Sequence, residues 1–156
     1  MRWLWEASDF VRQVRLRMRF GEMSRLPLRL LRLELRHETA VCEWMARAHD
    51  PWDSDLQIAV AEQNQALQAL QDAMTVREFL FAALPEVRSA SFRVYRSAEG
   101  EPVELIIAGT VTREDEPLPT VRSLVMRAKL CGLRFSLSDG VFDALSTQAN
   151  GSEFSK

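Results

Sequence analysis

The chain has 156 residues, 47% hydrophobic and 27% charged, with a formal net charge of −2. That mix belongs to folded globular chains, and it excludes a collagen-like repeat, a disordered chain and a polycation. Two cysteines, Cys42 and Cys131, lie far apart and outside any CxxC pair. They are expected to be free thiols, not the staples of a miniprotein.

Charge is unevenly placed. Residues 1–37 carry nine Arg against four acids, a net +5, while residues 38–156 carry eleven basic residues against eighteen acids, a net −7. Such a split suits either a basic surface for an anionic partner or two halves that attract across an internal interface. Arginine outnumbers lysine 18 to 2 throughout, so no single Arg is marked out by its type.

At the N-terminus two periods compete. Leu4, Ala7, Val11, Val14 and Met18 fit a helical stripe, yet Val14-Arg15-Leu16-Arg17-Met18-Arg19-Phe20 alternates strictly, as a strand does. The alternation predicts a short helix over 3–9 followed by a strand over 14–20. Leu31-Arg32-Leu33-Glu34-Leu35-Arg36 alternates again. After the polar His37-Glu38-Thr39, the segment 41–47 carries strand-forming Val and Trp, so a β-hairpin is expected. The three runs together predict an antiparallel meander, with Arg15, Arg17, Arg19, Arg32 and Arg36 on one face.

Pro51 breaks that pattern, and Ser54 with Gln57 has the spacing of a capping box. Leu56, Val60, Gln63, Leu67, Leu70 and Met74 then form one helical stripe, with little charge on the opposite side. Thr75 and Glu78 repeat the capping spacing, which predicts a second short helix over 76–84, ended by Pro85. Two strands are expected next, near 92–95 and over 103–112. The second is apolar on both faces, as a central strand is. A helix over about 121–131, left through Gly132, leads to a last strand at Phe135 and Leu137. That strand–helix–strand run suggests a parallel crossover.

The expected fold is therefore α+β, with an N-terminal antiparallel β-meander, a middle helical hairpin and a C-terminal ββαβ unit. One domain is expected over 1–145, β-rich over about 10–49 and mixed over about 54–145. Residues 146–156, polar and aperiodic, are expected to be a flexible tail.

Candidate chemistry is sparse. Arginines on alternate strand residues stand ~6.6–6.8 Å apart and could follow a phosphate backbone. Glu34 and Glu43 on neighbouring strands would instead pair with them. His37, Cys42 and His49 contain metal-ligand and nucleophile types, but their spacings of five and seven match no finger or HExxH pattern. Glu114-Asp115-Glu116 suits the approach to a helix N-terminus. No glycine-rich phosphate loop occurs, and neither a cofactor nor a metal is expected. The first residues lack the apolar core of a secretory signal, and the most apolar stretch, 79–84, is far short of the ~20 residues of a membrane span, so a cytoplasmic protein without membrane contact is expected. The leading functional expectation is a non-enzymatic interaction or regulatory module that forms a homodimer or meets another protein. The alternatives are a nucleic-acid-binding module using the five arginines and an enzyme with a site near His37, Cys42 and His49.

Overall fold

A computed structural model describes residues 2–18, 28–48, 57–97, 102–116 and 120–145. Among the described residues ten elements follow one another and give the expected α+β class.

The first element corrects the expected meander. Arg2–Arg17 is one helix, α1. Phe10, Val14 and Met18, at intervals of four, are buried, whereas Leu16, which strand alternation would put beside Val14 inside, is 70% exposed. Phe10, Val14 and Met18 share one face of the helix and enter the core, while Leu16 falls on the opposite, solvent side. Arg19 and Phe20 lie outside the described residues.

The hairpin is as expected. β1 (Arg29–Arg36) and β2 (Thr39–Met45) pair antiparallel from Arg36 opposite Thr39 to Arg29 opposite Met45, with an irregularity between Leu30 and Arg32. His37 opens the two-residue turn at a φ of 51°, in the left-handed region that tight hairpin turns require.

The expected helical hairpin is a single helix, α2 (Ile58–Ala83). Thr75 caps nothing: its hydroxyl donates to the Gln71 carbonyl one turn back, at 3.0 Å, and so is satisfied inside a continuous helix. Burial surrounds the helix, from Ala66, Ala69 and Leu70 to Val76, Leu80 and Phe81.

α2 carries the chain across to β3 (Ser89–Arg96), which lies parallel to β2 with Thr39 opposite Ser89 and Met45 opposite Tyr95. The parallel crossover thus sits here and not in the C-terminal unit. β4 (Glu104–Thr112) returns antiparallel to β3, and Leu105, Ile106, Ile107 and Ala108 are all buried. α3 (Leu124–Leu130) leads to β5 (Leu133–Arg134), which is antiparallel to β4, so that expected parallel pair is corrected. The two strands meet where both backbones are bare. A Cβ on Gly109 would stand 2.3 Å from the Gly132 carbonyl oxygen. β6 (Leu137–Ser138) and β7 (Val141–Phe142) form a separate small ribbon. The main sheet has the order β1-β2-β3-β4-β5.

One face of the sheet, with Cys42, Trp44, Phe92, Val94 and Ile107, shares a single core with α1, α2 and α3. Trp44 and Phe92, neighbours across the parallel pair, meet edge to face with centroids 5.0 Å apart.

Candidate interaction surface

The sheet order puts β1 at an edge. Among the described residues, β2 is its one strand neighbour. In a hairpin with a two-residue turn the residues flanking the turn form a hydrogen-bonded pair, here Arg36 and Thr39, and pairs then alternate along the ladder. Glu34 and Arg36 therefore direct their backbone groups at β2, and Leu33 and Leu35 direct theirs outward. Leu33 and Leu35 pack their side chains on the core. The free edge is thus a run of backbone donors and acceptors above an apolar floor.

Charged side chains decorate the other face of the strand. Arg32 lies 2.7 Å from Glu34 and 3.3 Å from Glu43, and Arg36 reaches Glu34 at 4.0 Å. Arg32 holds the Glu34 carboxyl below its ordinary range, chiefly by its hydrogen bond and charge, and Glu34 in turn holds Arg32 more firmly protonated. The register continues the row across the sheet, with Arg32 opposite Glu43 and Glu43 opposite Arg93.

The five arginines read as one face are divided by the fold. Arg15 and Arg17 are exposed on the last turns of α1, Arg32 and Arg36 are on β1, and Arg19 is outside the described residues. A cleft of about 550 Å³ between α1 and the start of β1 is lined by Val11, Val14, Arg15, Leu28, Arg29 and Leu30 among others, and of Arg15, Arg17, Arg32 and Arg36 only Arg15 reaches it. On the solvent side of α1, Trp5 and Leu16 stand 78% and 70% exposed, and Leu31 is exposed on β1. Sequence reasoning missed the apolar exposure of α1, because a strand reading hid Leu16 inside.

The His37, Cys42 and His49 set does not converge among the described residues. His37 is exposed at the hairpin tip beside a cleft shared with Glu6, Arg36 and Glu86, Cys42 is fully buried in the core, and His49 is not among the described residues. Burial, with a smaller contribution from Glu43, pushes the Cys42 thiol up to about 12, and burial also raises Cys131. Neither thiol is a thiolate at neutral pH, so neither is a ready nucleophile. Among the described residues, no group of three or more His, Cys, Asp or Glu is placed to hold a metal ion, and no helix is long and apolar enough to cross a membrane.

Comparison with family models, with curated proteins and with solved structures finds no match to this chain.

Proposed function

We propose that this protein is a non-enzymatic interaction module that associates with a second copy of itself. The observation that carries the reading is the outer edge of β1, eight residues long, which has no strand neighbour among the described residues and bears the exposed Leu31. A strand with one unpaired side is a template for another strand. An exposed apolar side chain on that strand, Leu31, gains by leaving water, at about 25 cal/mol per Å² of apolar surface covered. Light scattering across a concentration series tests the reading. A dimer that dissociates on dilution supports it, and a strict monomer at every concentration overturns it.

Nucleic acid is the weaker alternative. Arg12, Arg15 and Arg17 give α1 an exposed basic flank, but Arg12 is held by Asp9 at 2.9 Å and Arg32 by two glutamates. If nucleic acid is the ligand, affinity falls steeply with added salt and the joint variant Arg15→Ala, Arg17→Ala, Arg19→Ala loses it. Unchanged binding removes this alternative.

A further inference from the structure

The edge of β1 is complementary to itself in one register. We propose that two copies of this chain pair antiparallel along β1, with Leu33 facing the partner's Leu33 on a two-fold axis, so that two five-stranded sheets become one ten-stranded sheet. The proposal rests on the self-association reading and gives it a place and an alignment.

The alignment follows from the backbone. Along the regular ladder from Arg32 to Arg36, Leu33 and Leu35 turn their hydrogen-bonding groups away from β2, so a symmetric antiparallel pair centres on Leu33, on Leu35 or, with those two facing each other, on Glu34. Centring on Glu34 fails on charge: it sets Glu34 opposite the partner's Glu34 and Arg32 opposite the partner's Arg36, two like-charged pairs. Centring on Leu35 gives a short overlap, because His37, two residues on, has left the extended region with a φ of 51°. Centring on Leu33 keeps residues 30–36 opposite one another. It also places Arg32 opposite the partner's Glu34, and Glu34 opposite the partner's Arg32. Facing residues in adjacent strands have Cβ atoms ~4.5–5.5 Å apart, near enough for both pairs.

The charge pattern of the sheet supports this alignment. Within one copy the row runs Arg93, Glu43, Arg32, and the partner's Glu34 adds the next alternating sign. Both Arg32 and Glu34 keep part of their side chain in water, at 49% and 38% exposure, so each has room for a second partner. Exposed Leu31 then lies beside the partner's Leu35. Charges on an edge strand commonly keep other chains away. A row of one sign would do so here, but Arg32 and Glu34 have opposite signs at positions that the two-fold axis exchanges.

Charge reversal tests it. Arg32→Glu and Glu34→Arg each place like charges opposite one another in the homodimer, so each is expected to be monomeric by light scattering where the wild type is dimeric. An equimolar mixture of the two variants restores both opposite-charge pairs and is expected to return to a dimer. Wild type that is monomeric at every concentration overturns this proposal and the self-association reading together. A dimer that survives both single variants leaves self-association standing and overturns the β1 alignment, as does a mixture that stays monomeric. Arg32→Glu also faces Glu43 and can unfold the chain, so a second arm uses Arg36→Cys carrying a spin label. Its two backbone positions lie six residues apart along the shared ladder, about 20 Å at ~3.4 Å per residue. A dimer with no inter-copy distance near that value, or with one near ~7 Å, overturns the alignment.

Discussion

Arg47, two residues past the end of β2, and Asp72, in the middle of α2, meet through two hydrogen bonds. Nε of Arg47 donates to Oδ2 at 2.7 Å, and Nη2 donates to Oδ1 at 3.2 Å. Their side chains are 2% and 4% exposed. Gln68 donates to the same carboxylate at 2.9 Å, and Gln65 donates to the Arg47 carbonyl at 2.8 Å. The pair ties the strand end to the crossover helix and so fixes how α2 lies over the sheet. Removing one partner leaves a buried charge without its counter-ion, which costs about 3–5 kcal/mol, whereas replacing both by apolar side chains of similar volume is near neutral. Asp72→Ala is therefore expected to lower the urea midpoint strongly, and the joint variant Arg47→Met, Asp72→Leu to recover most of the loss. If the joint variant is as unstable as the single one, the site needs its polar network for more than charge balance.

The other end of α2 is closed by Arg113. Its guanidinium donates to the carbonyls of Phe81 at 2.9 Å, Leu84 at 2.8 Å and Val87 at 3.0 Å, and its centre stands 4.8 Å from the Phe81 ring centroid. Three carbonyls at a helix exit and the loop after it are satisfied by one side chain on the residue just past β4. Arg113→Ala is expected to cost about 2–3 kcal/mol, since bonds to charged groups are worth ~1.5–3 kcal/mol each and water recovers part of them. Arg113→Lys is expected to rescue little, because an ammonium cannot reach three carbonyls in one plane. Thermal unfolding of the two variants measures both effects.

What the sequence disclosed and what it concealed differ by the range of the interaction. The β1–β2 hairpin was legible because alternation over 31–36 and the polar break at His37 are local. α1 was misread for a physical reason: arginine at 15, 17 and 19 imposes a two-residue rhythm, yet an exposed arginine is tolerated at any position around a helix. Only the buried set Phe10, Val14 and Met18 reports the true period. Thr75 had the spacing of a cap, but a hydroxyl in mid-helix can bond one turn back instead. Arg47 and Asp72 are 25 residues apart, with no pattern to join them. The free edge of β1 depends on strand order, which no local signal carries.

Burial of Cys42 makes stability fall in alkali. The folded thiol titrates at about 12 against an ordinary 9.0, so between those values the unfolded chain has released a proton that the native chain keeps. Stability is then lost as pH rises through that window, by up to about 1.4 kcal/mol per pH unit, and is unaffected below it. Burial acts the same way on Cys131. Cys42→Val is expected to flatten the decline of stability between pH 9 and the alkaline limit of the fold, measured by denaturant titration. A slope identical to that of the wild type would mean that the thiol ionises inside the fold.

The helical start is open to a test that a strand would answer differently. Gln13 lies in the interior of α1, one residue before the buried Val14. Proline there removes the hydrogen bond to the carbonyl four residues back, and its ring collides with that turn, at a cost of ~3 kcal/mol or more. Near the start of an edge strand the same proline would cost little. Gln13→Pro is expected to reduce far-UV helicity and to release Phe10 from the core, where it is fully buried. The loss of packing is expected to exceed that of a control, Arg12→Ala, which removes only an exposed pair with Asp9 worth about 0.3–0.5 kcal/mol. If Gln13→Pro unfolds no more readily than the control, residues 10–17 are not helical in solution, and the alternating period regains its claim on this segment.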